Sequence, residues 1–308
     1  MREQPSNAAL YLGASLIWGS TWLAITFQYG VVPATASVAY RFLLAGVLLL
    51  LWSALRGERM RLGALDLAWA ALQGVLLFGL SYSCVYEAER YIPSGLMAVL
   101  NSSMLPFNII GMRLAFGRRF TAQAVVGAAL GVLGIVLVFW PELAVTRDAS
   151  SWRGIAFGLV AGLLASLGNL AAQRNRNAQV PLLSGTGISM LVGGGTALLI
   201  TLSRGQDLVF DLSPGYIASL LYLAVFGSVL AFAAYLTLMG RIGAGRAGYI
   251  AVAVPILALL LSAWFEDFDW SWWTFAGITC AVAGNAIVLA EAAWLAQLWQ
   301  RLRHTPGP

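Results

Sequence analysis

SGLMAVLNSSMLPFNIIGMRL, Ser94 to Leu114, is apolar over a length that crosses a bilayer, yet its middle carries Asn101, Ser102, Ser103 and Pro106. At about 100° per residue, Met97, Asn101, Met104 and Asn108 share one stripe while the opposite side stays aliphatic. Such a stripe is expected to face a cavity rather than lipid. Pro106 removes a backbone donor and crowds the carbonyl one turn back, and broken backbone at membrane depth is tolerated only where protein or cavity water satisfies the freed groups. RIGAGRAGYIAVAVPILALLLSAWFE, Arg241 to Glu266, repeats the device, with Pro255 lying 149 residues after Pro106. Two interrupted helices in matching positions of two halves point to a transporter's binding site.

The 308-residue chain is 60% hydrophobic and only 10% charged, with a mean hydropathy of +0.80. An ordinary soluble domain is ~45–50% apolar and ~25% charged, so the fold class is an all-α polytopic membrane protein with the lipid bilayer as its surroundings. Counting ~20 apolar residues per crossing gives ten transmembrane helices, at about 8–28, 34–55, 67–88, 94–115, 121–140, 153–173, 181–203, 214–238, 244–265 and 272–294. An even number puts both termini on one side. All 18 basic residues are Arg. With the N-terminus inside, 13 of them, among them Arg59, Arg118 and Arg241, fall in cytoplasmic segments and only 4 in outer loops. That bias predicts cytoplasmic termini and explains the net charge of +5 without a nucleic-acid partner. Cys84 and Cys280 both lie in apolar segments and read as small hydrophobes rather than a disulfide.

Self-similarity at a period near 150 residues matches Gly19 with Gly168, Pro106 with Pro255, and Gly134 with Gly284. The repeats are placed at 1–143 and 144–300, with 301–308 a cytoplasmic tail. Five crossings per repeat force the second copy to enter from the opposite face, so the halves are two inverted five-helix repeats. Gly19, Gly168, Pro106 and Pro255 are the candidate helix breaks or gates.

Most tryptophans cluster near span ends, as interfacial rings do; Trp18 sits mid-span, with Trp22 one turn beyond it. Candidate cavity residues are Trp18, Trp22, Tyr82, Tyr86, Asn101, Ser103, Asn108, Ser166, Asn169, Tyr235 and Tyr249, with Ser228 and Phe232 on the same span as Tyr235. Aromatic rings suit apolar side chains of cargo, and amides suit ammonium and carboxylate groups. Spans five and ten, rich in Gly and Ala, are expected at the periphery, with Gly127, Gly131 and Gly134 packing closely. Arg41 is the one formal charge well inside a span. It either clamps a substrate carboxylate bidentately or, as the expectation here has it, binds helix carbonyls in a structural role.

Absences narrow the chemistry. No carboxylate lies mid-span: Glu87 and Glu89 sit at the outer end of span three, and the sole His, His304, is in the tail. Flux is therefore expected to run down the substrate's own gradient, without proton coupling. Metal sites, cofactors and hydrolase motifs are not expected, which leaves a membrane-embedded lipid-modifying enzyme as a remote alternative. The outer run Glu266, Asp267 and Asp269 reads as a solvated loop.

Trp18-Gly19, Pro33, Arg41-Phe42 and Pro106, set in a doubled five-span repeat, resemble the EamA type of the drug/metabolite transporter superfamily. Among its members the chain is similar to aromatic amino acid exporters of bacterial inner membranes. The resemblance implies a secondary transporter exporting amino acids or related small metabolites by alternating access around a midplane cavity. A proton-coupled exporter of another metabolite or drug class is the alternative. One departure is Gly117-Arg118, where the family often has Gly-Glu, although Glu266 follows span nine.

Overall fold

A computed structural model describes residues 5–117, 119–140, 149–242, 247, 249–266, 268 and 270–303. Arg118, Glu142, Arg147, Asp148, Arg246, Asp267, Asp269, His304 and the 143/144 repeat boundary lie outside them. Among the described residues there is no strand, and ten helical spans follow one another. α1 is Asn7–Thr26 and α2 Ala34–Leu55. α3 runs Ala64–Ala88 and α4 Ser94–Phe116. α5 is Ala122–Val138, α6 Ala149–Asn177 and α7 Leu182–Ser203. α8 covers Pro214–Leu221, Tyr222–Leu230 and Ala231–Ile242. α9 is Ile250–Phe265, and α10 Trp272–Arg303 runs beyond the expected end. By length and composition seven are long and apolar enough to cross a membrane, and α5, α9 and the Trp272–Val288 part of α10 are shorter apolar helices.

Local chemistry sets the ends. Ser6 and Thr121 accept from the amides of Ala9 and Ala124 at 3.1 and 3.2 Å, satisfying donors that a first helical turn leaves unpaired. Pro33, Pro93 and Pro181 stand immediately before α2, α4 and α7, where their fixed φ directs the chain into the first turn. Gly117 closes α4 at φ +65°, a left-handed conformation that only glycine adopts without strain.

Among the described residues three spans are irregular. α4 is α-helical over Ser94–Leu100, tightens to a 3₁₀ turn at Asn101–Ser103 and resumes at Met104. α3 and α8 each widen into a π-helical stretch, Gly74–Ser81 and Tyr222–Leu230. Those stretches coincide at an offset of 149 residues, the spacing of Pro106 and Pro255. The widened turn of α8 is tied by the Ser228 hydroxyl, which donates to the Leu223 carbonyl five residues back at 2.9 Å.

The spans interlock by exchange between repeats. α2 packs on its repeat-mate α7 and α5 on its mate α10, while α1 meets α8 and α9 as α6 meets α3 and α4. Lipid offers no hydrophobic drive between helices, so close approach through small residues supplies the contact. A Cβ at Gly134 would meet the Gly277 carbonyl at 2.6 Å, and one at Gly284 the Gly127 carbonyl at 2.4 Å. Gly131 contributes differently: its own Cβ direction is open, but its amide is what a Cβ on Gly284 would strike at 2.9 Å.

Gly19 and Gly168 do not break their helices, contrary to expectation: α1 and α6 run straight through them. Their missing side chains admit Leu257 and Leu77, which a Cβ would meet at 2.6 and 2.7 Å. Pro255 likewise lies within a continuous α9, near its start, and leaves the carbonyl of Ala251 without the usual amide partner.

Candidate functional site

A cavity of about 510 Å³ lies between the two repeats, walled by parts of α1, α2, α3, α4, α6, α7, α8, α9 and α10. Its size is that of a small-molecule pocket. Of the expected residues, Trp18, Trp22, Tyr82, Asn101, Asn108, Asn169, Tyr235, Pro255 and Arg41 line it, together with Ser228 and Phe232. The 3₁₀ turn of α4 brings Asn101 and Ser102 to the wall, followed by Met104, Leu105 and Asn108.

An aromatic box forms the apolar part. Trp18 stands edge-on to Phe232 at 5.3 Å and tilted to Tyr235 at 5.5 Å. Its indole N–H donates at 3.0 Å to the carbonyl of Gly227, inside the π stretch of α8, so that the widened turn fixes the ring. Phe42 meets Phe78 at 5.1 Å and Tyr82 at 4.7 Å.

Arg41 lies beside these rings, its guanidinium carbon 4.9 Å from the Tyr82 centroid and 5.0 Å from that of Phe42. It is 3% exposed, and its Nε and Nη1 have no hydrogen-bond partner among the described residues. No helix carbonyl takes up those donors, so the expected structural role lacks its partners. Cation–π contact with two rings supports the charge but leaves the donors unused. Asn108 likewise has a buried Oδ1 without a partner there, whereas Asn169 turns its amide toward Met104 Sδ at 3.1 Å.

Other expected residues stand off the wall, each for a packing reason. Tyr86 is wholly buried and its hydroxyl donates to Gln28 Oε1 at 2.8 Å. Ser103 faces α6, where a Cβ on Gly162 would meet its Oγ at 2.3 Å. Ser166 is buried, and Met97 packs beside Gly158. Tyr249 gives its carbonyl to the Tyr11 hydroxyl at 3.0 Å. Pro106 is half-buried off the wall. Conversely, Asn285 and Val288 bring α10 to the cavity, against its expected peripheral place. Asn285, an amide in the middle of an apolar span, was a visible signal; Thr21, Phe78 and Met190 gave none.

A second cavity of about 260 Å³ shares Phe78, Asn169, Phe232 and Tyr235 with the first, so these four divide the two. It extends to Asn175, Arg176, Val180 and Pro181, at the end of the bundle where α1 begins and α6 ends. Arg176 there is exposed. The opposite end is packed shut around buried Gln28, Tyr86, Glu89 and Ser94. Glu266 belongs to that seal rather than to a solvated loop: its carboxylate accepts from the Ser94 amide at 3.2 Å and from the Ser94 hydroxyl, capping α4. Cys84 and Cys280 are free thiols. Among the described residues no group of three or more His, Cys, Asp or Glu side chains is placed to hold a metal.

Together the two cavities occupy the interface of the interlocked repeats. The EamA-like transporter family model matches the chain twice, over residues 6–140 and 152–290. The chain belongs to this family. The inner membrane transporter YedA of Escherichia coli is 31% identical over 263 residues, covering 82% of this chain and 79% of YedA. Protein PagO of Salmonella typhimurium is 23% identical, covering 85% and 84%. A solved crystal structure shares the fold at a TM-score of 0.66 and 18% identity, covering 95% of this chain and 99% of its own. The EamA-like chain is thus a multi-pass membrane transporter, with its cavity at the repeat interface.

Proposed function

We propose that this transporter exports small amphipathic carboxylates, amino acids with apolar side chains foremost, by alternating access around the cavity that Trp18, Arg41 and Asn101 share. The observation that carries the reading is Arg41: a buried guanidinium in the cavity wall with two donors unpartnered among the described residues. Such donors cost stability unless a ligand completes them, and a planar fork matches a carboxylate bidentately. The amides of Asn101, Asn108 and Asn285 in the same wall suit an ammonium group, and the rings of Trp18, Phe42, Tyr82, Phe232 and Tyr235 suit an apolar side chain.

The cavity's second lobe reaches solvent at the end bearing the N-terminus, which the Arg distribution assigns to the cytoplasm. That is the loading state of an exporter. Proteoliposome flux with paired labelled cargo, each amino acid against its own carboxamide, tests the proposal. Transport of the acid and exclusion of the amide is the expected result; equal transport of both, or of neither while an unrelated cationic drug is carried, overturns it.

A further inference from the structure

The sealed end contains a buried acid for which the cavity has no use. Gln28 and Tyr29 follow α1, Glu89 follows the last residue of α3, Ser94 begins α4 and Glu266 follows α9. Glu89 is 8% exposed, and its Oε1 has no hydrogen-bond partner among the described residues. Its Oε2 receives only a long contact from the Tyr29 hydroxyl, 3.5 Å, and the single proton of that hydroxyl is also claimed by the Tyr86 carbonyl at 3.0 Å. Gln28, 1% exposed, accepts from Tyr86 through Oε1 and leaves Nε2 unpartnered among the described residues. The charged and titratable groups facing Glu89 are Glu266 just after α9, Arg41 from α2, Tyr86 from α3 and Tyr29. No cation lies within ion-pair distance of it among the described residues.

An ionised carboxylate so enclosed, without a paired cation and facing a second carboxylate already engaged by Ser94, is strongly unfavourable. Groups in that position take up a proton instead.

We propose that Glu89 is a proton-binding site of the sealed end: the carboxyl holds a proton while α3, α4 and α9 are packed together and releases it to outside water when they part. Burial, with Glu266 opposite, holds the Glu89 carboxyl well above the usual carboxylate range, in keeping with this. The seal then tightens as external pH falls, and a pH difference biases the carrier even though no acid stands at its centre. The coupling to opening rests on the alternating-access reading; the proton site does not.

Infrared titration of the purified protein in nanodiscs tests the site. A protonated carboxyl C=O band is expected that persists above the ordinary carboxylate range, vanishes in Glu89→Gln and remains in Glu266→Gln. A spectrum unchanged by Glu89→Gln, or a band titrating in the ordinary range, overturns the site. For the coupling, a cysteine is placed at cavity-lining Ala98 in a chain carrying Cys84→Ser and Cys280→Ser. Its labelling by an impermeant thiol reagent from the sealed side is followed with and without Glu89→Gln. The rate with Glu89 present divided by the rate with Glu89→Gln, a ratio that cancels the thiol's own pH dependence, should rise with pH, because the Gln form stays shut. A ratio flat in pH overturns the coupling and leaves the infrared result to stand alone.

Discussion

Arg41 concentrates the functional argument in one side chain. Hydrogen bonds to a charged group contribute about 1.5–3 kcal/mol, so Arg41→Gln should weaken binding of a carboxylate substrate roughly tenfold to a hundredfold. Binding of the matching carboxamide should be unchanged. Equilibrium binding, read by quenching of Trp18 and Trp22 in the cavity wall, checks this. An equal loss for acid and amide would mean that the substitution disturbed packing against Phe42 and Tyr82 rather than a carboxylate contact. Arg41→Lys should rescue only in part, since an ammonium keeps the charge but not the planar fork. The sequence displayed this residue, as it displayed Trp18, Asn101 and Asn169, because a charge, an indole or an amide is conspicuous at apolar depth. The same reading of polar groups marked Tyr86, Ser103 and Ser166, which are buried off the cavity wall. Spacing tells which residues share a face of a helix, not whether that face meets a cavity or another helix.

At the scale of elements, the prolines were legible and the true irregularities only partly so. Pro106 stands just past the 3₁₀ turn of α4, whereas Pro255 leaves α9 continuous. The π stretches of α3 and α8 contain no proline and announce themselves only through the 149-residue offset once their positions are known. A widened turn shifts every later side chain around the helix axis, and such bulges gather at functional sites; here they place Phe78 and Gly227 in the wall. Glycine contacts were visible as a spacing, but not which glycine is crowded. Gly134→Ala should therefore lower the melting temperature in detergent, by overpacking that costs about 1–3 kcal/mol, because its Cβ meets the Gly277 carbonyl at 2.6 Å. Gly131→Ala, with nothing within 4 Å of its Cβ, should leave it unchanged. Equal effects at the two positions would contradict the α5–α10 interface.

For the whole molecule, the ten-span count and the inverted repeat follow from hydropathy, the paired prolines and the odd number of crossings per half. Orientation rests on the Arg bias of 13 to 4. Single cysteines replacing exposed Arg59 and Asp207 in a Cys84→Ser, Cys280→Ser chain should behave oppositely in intact cells. The first should resist an impermeant thiol reagent and the second react; the reverse would invert the topology and with it the direction of loading. The exchange of partners between repeats also governs how the protein comes into being. A ribosome delivers α1 to α5 to the membrane before any of α6 to α10 exists, so Gly46, Gly127 and Gly134 wait against lipid for helices not yet made. The early half is thus an unfinished surface whose complement arrives within the same translation. Made as two polypeptides divided within residues 141–148, the halves should assemble and copurify, and the first made alone should be cleared by quality control. A first half that accumulates undegraded without its complement would show that it does not need to wait.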